Sequence, residues 1–221
     1  MTTHDATVRA RTDWTPAWRA LGLTALAFVA ACLVDPWIYQ HVHDPRVYER
    51  DWGRLLRIMG FLGTWAALAV AVALHEGTAP VRRALARTRG FLLFGSAALG
   101  GIVAEVGKLL LRRERPEAHD GAYGFRAFAD HPWSTSGLAL PSSHVLVAFG
   151  GAAMLARLFP RARWVGYTLA IGCAATRVMA HAHFVSDVVL AAGLGWFVAF
   201  VLVRRWSPAA DAMRRDAMGP E

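Results

Sequence analysis

The chain has 221 residues, 55% of them hydrophobic and 18% charged, fewer charges than the ~25% usual in soluble domains. Its net charge is +8, but the cations are spread among short connections and not gathered on one domain, which argues against a nucleic-acid-binding module. Of 24 basic side chains one, Lys108, is a lysine and every other is an arginine.

A polar arm, residues 1–16, comes first. Six apolar blocks follow, read as membrane-spanning helices at 17–33, 55–74, 91–111, 144–159, 165–179 and 185–203, against the ~20 residues that a span requires. A polar tail, 206–221, closes the chain. The fold expected is therefore all-α, a polytopic membrane protein with six transmembrane helices in one compact bundle over 17–205. Small residues within the blocks, among them Gly95, Gly100, Gly101, Gly150, Gly151, Gly193 and Gly195, allow helices to approach closely where lipid supplies no hydrophobic drive. Cys32 and Cys173 both lie inside apolar blocks and support neither a disulfide framework nor a zinc pattern.

Arginines set the expected orientation. Arg9, Arg11 and Arg19, then Arg82, Arg83, Arg87 and Arg89, then Arg157, Arg161 and Arg163, then Arg204, Arg205, Arg214 and Arg215 fall on one side of a six-span chain. That side is read as cytoplasmic, with both termini on it, in a bacterial-type inner membrane. The first connection mixes its arginines with Asp35, Asp44, Glu49 and Asp51 and is placed outside. The third connection, 112–143, is the longest irregular stretch, and loops of that length are usually functional. Tyr123, Phe125, Phe128 and Trp133 suit it to a membrane–water interface.

Three clusters fall on that outer side. In KLLLRRERP the spacing of Lys108, Arg112 and Arg115 puts three cations on one helical face, and Pro116 ends the segment; by itself this equally describes snorkelling cations at a helix end. In LPSSH, Ser142 or Ser143 caps a helix whose free N–H groups form an anion site, with His144 in its first turn. In TRVMAHAHFVSD, Arg177 lies near a helix end, and His183 and Asp187 are four apart, so that a carboxylate can orient an imidazole. His181 is six from Asp187 and does not share its face. Glu105, one turn before Lys108, is placed to pair with it, since unpaired charge inside a membrane is expensive. Together these groups suit phosphoryl transfer through a phosphohistidine, with fixed cations stabilising the equatorial oxygens.

These three segments resemble the signature motifs of the type 2 phosphatidic acid phosphatase superfamily, which includes glucose-6-phosphatase and vanadium haloperoxidases. The family pattern is Lys, six residues, Arg-Pro; Pro-Ser-Gly-His; then Ser-Arg, five residues, His, three residues, Asp. Lys108, Arg115 and Pro116 match the first motif, Pro141, Ser142 and His144 the second, and Arg177, His183 and Asp187 the third. Ser143 stands in place of the usual glycine and Thr176 in place of the usual serine. Serine is less permissive of positive φ than glycine, so the phosphate pocket is expected to be slightly reshaped, or to gain the Ser143 hydroxyl as a donor.

The resemblance implies His183 as nucleophile, Asp187 as its orienting partner, and His144 as general acid and then base. It implies Lys108, Arg115, Ser142, Ser143 and Arg177 as phosphate ligands. The activity it implies is a metal-independent membrane phosphatase acting on a lipid phosphate or diphosphate at the outer leaflet. Undecaprenyl diphosphate is the first substrate expected, with phosphatidate, phosphatidylglycerol phosphate and lipid A phosphates also open. Two other readings remain at this stage, a lipid phosphotransferase using the same phosphohistidine and a non-catalytic phosphate-binding protein or transporter. No cofactor, metal site or nucleic-acid partner is expected. The partners are a lipid phosphate and the bilayer, and the oligomeric state is open.

Overall fold

The computed structural model describes residues 13–75 and 80–218, and among these residues helices are joined by irregular connections that carry two isolated β-bridges, Arg113 with Phe125 and Glu114 with Leu138. The helices are α1 (Thr15–His41), α2 (Asp51–Ile58), α3 (Leu62–His75), α4 (Pro80–Leu111), α5 (Ser143–Leu158), α6 (Arg163–Met179) and α7 (Val185–Met218), with short 3-10 turns at Pro116–His119 and Pro160–Ala162. Thr15–His41, Arg82–Leu111 and Val185–Trp206 are long and apolar enough to cross a membrane. The bent pair α2–α3 makes a fourth if it counts as one span. Leu23, Leu26, Leu33, Leu74, Ile102 and Leu110 each leave more than half of their surface uncovered. Water would not tolerate so much exposed hydrocarbon, but acyl chains would. These helices are those of an integral membrane protein.

The core lies around α5, which packs against α4, α6 and α7. Val145 to Ala148 and Gly150 to Met154 are all buried. Two glycine contacts bring these helices together. A Cβ on Gly150 would stand 2.8 Å from the Ser96 carbonyl of α4, and one on Gly195 of α7 would stand 2.8 Å from the Gly150 nitrogen. Ser96 Oγ donates to the Gly150 carbonyl at 2.7 Å, an interhelical bond made possible by that proximity.

Several expectations change. The block predicted as one span over 55–74 is broken between α2 and α3, with a 69° bend. The carbonyls that the break frees are recovered locally, by Thr64 Oγ1 on the Ile58 carbonyl at 2.7 Å and Trp65 Nε1 on the Met59 carbonyl at 2.8 Å. The first helix does not stop at residue 33 but runs through Pro36 to His41. Proline cannot bond the carbonyl four residues back, and the Cys32 carbonyl instead accepts from the Tyr123 hydroxyl at 3.2 Å. Asp35, assigned from sequence to a solvated loop, is therefore a buried helical residue. Arg82, Arg83, Arg87 and Arg89 lie in the first turns of α4 and not in a loop, and helix continues through the predicted tail to Met218. Cys173 is buried and Cys32 partly so. Arg9 and Arg11 lie outside the described residues.

Candidate active site

Helix direction gathers the chemistry at one end of the bundle. Lys108 closes α4, His144 opens α5, Arg177 closes α6, and His183 and Asp187 flank the start of α7. His144 lies within electrostatic reach of Arg177, His183, Lys108 and Arg57, and Arg177 within reach of Arg115. The three sequence clusters thus converge on one site.

Asp187 is fully buried and each of its oxygens is engaged. Oδ2 accepts from the Phe184 backbone N–H at 2.8 Å and stands 3.6 Å from His183 Nδ1. Oδ1 accepts from the Arg113 guanidinium, which also donates to Ser186 Oγ at 2.8 Å. The Ser186 hydroxyl bonds in turn to Asp35 Oδ2, whose other oxygen accepts from the Ser186 N–H at 3.1 Å. Tyr123 donates to Asp35 Oδ2 at 2.8 Å. Arg113 lies against the Tyr123 and Phe184 rings, 5.0 and 5.2 Å from their centroids, and the two rings meet edge to face at 4.9 Å. A buried chain of charge and hydroxyl groups therefore runs from α1 through Arg113 to the carboxylate behind His183.

His183 is 4% exposed. Burial lowers its imidazole to about 4, outweighing the Asp187 carboxylate, which acts in the opposite sense. The ring is neutral at ordinary pH, and with Nδ1 facing Asp187, Nε2 is the nitrogen left for chemistry.

The cations are held in different ways. Arg177 is buried and donates to the Tyr48 hydroxyl at 3.0 Å, which in turn donates to the Thr176 carbonyl at 3.0 Å. Arg57 lies over the same tyrosine ring at 4.7 Å. Arg115 is in extended backbone after the helix, with a loose ion pair to Glu117 at 3.7 Å. Lys108 Nζ donates to Glu105 Oε1 at 3.0 Å and to Ser143 Oγ at 2.5 Å, while the Ser143 hydroxyl donates to Glu105 Oε1 at 2.6 Å.

Arg112 does not share the face of Lys108. α4 ends at Leu111, and Arg112 takes φ 52°, so the helical spacing that would have aligned 108, 112 and 115 stops short. Its guanidinium turns into the loop and donates to the carbonyls of Arg126, Ala127, Asp130 and Pro132, with the Phe128 ring 5.3 Å away. Ser142 holds the N-cap position of α5, but its side chain makes no capping bond. Its buried hydroxyl has no partner among the described residues. His181 turns away to stack between Tyr39 and His43. Among the described residues no group of three or more His, Cys, Asp or Glu side chains is placed to hold a metal ion.

Sequence reasoning missed Arg113, Tyr48, Arg57 and the Asp35–Ser186 link. Arg113 was hidden in a run of arginines whose individual directions depend on the positive φ at Arg112. Tyr48 and Asp35 carried no signal, because their hydrogen-bond partners lie 88 or more residues away.

The PAP2 superfamily profile matches residues 89–210, more than half of the chain. Among characterised proteins, a lipid A 1-phosphatase of Rhizobium etli is 38% identical over 113 residues, 49% of this chain and 47% of that protein. A lipid A 1-phosphatase of Rhizobium johnstonii is 35% identical over 109 residues, 49% of this chain and 44% of that one. The match spans about half the length of either relative, and no solved structure matches the chain. With all three motifs inside the matched region and their residues meeting at one end of the bundle, the chain belongs to the PAP2 superfamily.

Proposed function

We propose that the chain is a membrane phosphatase that releases phosphate from a lipid phosphate through a phosphohistidine. The observation that carries this reading is the meeting of a neutral, carboxylate-backed His183 with His144 and three basic side chains. His183 Nε2 attacks phosphorus in line with the leaving oxygen; the N–P bond forms as the P–O bond to the lipid breaks, and His144 gives its proton to the departing oxygen. Water then attacks phosphorus, its proton passing to His144, and the N–P bond breaks to release inorganic phosphate. Lys108, Arg115 and Arg177 face the equatorial oxygens together with the Ser142 hydroxyl, and Ser143 lies beside Lys108. These cations supply the positive charge that magnesium supplies elsewhere, so the activity is metal-independent.

The names of the two relatives put the 1-phosphate of lipid A first among substrates, ahead of undecaprenyl diphosphate and phosphatidate. Helix direction supports six crossings, by α1, α3, α4, α5, α6 and α7. In this arrangement α2 lies along the site end, because Gly60 just beyond it touches His144. α5 and α6, at 16 and 17 residues, rise about 25 Å, short of the ~30 Å hydrocarbon core, so their ends meet polar loops. The arginines at the start of α4, around the α5–α6 turn and near the end of the α7 span lie at the end opposite the site. The site therefore faces the extracytoplasmic side of a bacterial inner membrane.

The test is phosphate release by the detergent-purified chain in excess EDTA, from lipid A, undecaprenyl diphosphate and phosphatidate, beside His183→Ala. Release that survives EDTA and is lost in the variant is the expected result. Label passing from lipid phosphate to a second lipid, with little free phosphate, would replace hydrolysis by transfer. Well-folded protein that does neither would favour a binding role.

A further inference from the structure

We infer that Ser143 and Glu105 form a positioning pair that holds the Lys108 ammonium for the phosphoryl group. Resting on the assignment of Lys108 as a phosphate ligand, this gives Ser143 an action through lysine rather than on substrate. An ammonium has three N–H donors. One goes to Glu105 at 3.0 Å and one to Ser143 Oγ at 2.5 Å, which leaves one for a ligand. The single Ser143 proton is directed at Glu105, 2.6 Å away, so the hydroxyl links carboxylate and ammonium. Lysine is a flexible four-carbon stem whose freedom must be lost before it can bind in one geometry. Two fixed acceptors remove that freedom before substrate arrives.

The triangle also joins two elements of the site. Glu105 and Lys108 are on α4, whereas Ser143 opens α5 between Ser142 and His144. Thr135 of the loop stands beside the same carboxylate. Glycine at 143 would leave the ammonium tied to α4 alone. The triangle fits a compact ammonium, and the broader planar fork of arginine does not reproduce it.

The test compares Ser143→Gly, Glu105→Ala, Glu105→Gln, the Ser143→Gly/Glu105→Ala double variant and Lys108→Ala, as full-length protein in detergent. The readouts are kcat and KM for the best lipid substrate, competitive inhibition by inorganic phosphate, and Tm. Ser143→Gly and Glu105→Ala should each weaken phosphate inhibition and lower kcat/KM by about tenfold, the worth of one charge-assisted bond, at nearly unchanged Tm. The double variant should be little worse than either single one, because one unit is being dismantled. Glu105→Gln keeps an acceptor for both partners and should recover most of what Glu105→Ala loses. Phosphate inhibition unchanged in both single variants, with Lys108→Ala inactive, would overturn the pairing alone. Lys108→Ala with wild-type kcat/KM and phosphate inhibition would overturn the assignment of Lys108 beneath it. Fully additive losses would make the two residues independent and overturn the pair, and a fall in Tm that accounts for the lost activity would make both merely structural.

Discussion

Arg113 shows how much of this site depends on a residue that does not face substrate. Its guanidinium is buried against Asp187 and Ser186, and removing one partner of a buried ion pair costs roughly 3–5 kcal/mol, because the other charge stays buried and unpaired. Arg113→Ala should therefore lower Tm in detergent by far more than Arg115→Ala, whose side chain is more than a third exposed. Equal shifts would argue against the buried pair. His183 brings a pH dependence whose sign follows from its environment. The unfolded ring titrates near 6.5 and the folded ring at about 4, so between these values the unfolded state binds the extra proton. Stability from the neutral ring is complete above pH 6.5 and is lost as pH falls toward 4. Tm measured from pH 7 to 4.5 should decline less steeply in His183→Gln than in the parent chain.

At the scale of elements, the break between α2 and α3 fixes the position of His144. A Cβ on Gly60 would lie 2.5 Å from His144 Cβ and 2.7 Å from its Cα, distances that the packed start of α5 has no room to relieve. Gly60→Ala should cut kcat at least tenfold by displacing the proposed acid, whereas Gly95→Ala, with nothing within 4 Å, should be silent or stabilise α4 by up to ~1 kcal/mol. Equal effects would remove the steric account. The passage of α1 through Pro36 makes a similar demand on the loop. The single Tyr123 hydroxyl proton is shared between Asp35 Oδ2 at 2.8 Å and the freed Cys32 carbonyl at 3.2 Å. Tyr123→Phe leaves the buried Asp35 carboxylate one donor short and should cost about 1–3 kcal/mol, read as a Tm loss. The loop 112–143 is thus not a free linker, since Arg112 gathers its carbonyls from one side and Tyr123 joins it to α1 from the other.

For the whole molecule, helix direction places the proposed phosphate site at one end and the arginine-rich turns at the other. Arg204 of α7 donates to the Asp13 carbonyl, so the start of α1 lies at the arginine end as well, and Asp35 further along α1 meets Ser186 at the site end. In a background without Cys32 and Cys173, Trp133→Cys should react with an impermeant maleimide in intact cells, and Arg161→Cys only after permeabilisation. The opposite pattern would invert the proposed orientation. The exposed rings of Phe125, Phe128 and Trp133 lie on the loop over the site end, where an interfacial lipid headgroup would approach.

The sequence by itself determined the helical class, the bilayer as solvent and the residues of the three motifs, because hydropathy and motif spacing are local properties of the chain. His183 and Asp187 were legible as a pair from their spacing of four, although α7 begins only at Val185 and Asp187 reaches back across its start to the ring. Only the tertiary structure decided what each motif residue does with its hydrogen bonds. Helix α4 stops at Leu111, one residue before the spacing could bring Arg112 to the face of Lys108, and the positive φ at Arg112 sends that side chain into the loop. Asp35 became a buried anchor because Ser186 and Tyr123, 151 and 88 residues away, satisfy its carboxylate. Ser143 met Glu105 and Lys108 through the packing of α5 on α4. Such partnerships depend on where separate helices touch, which neither the period nor the composition of any one segment encodes.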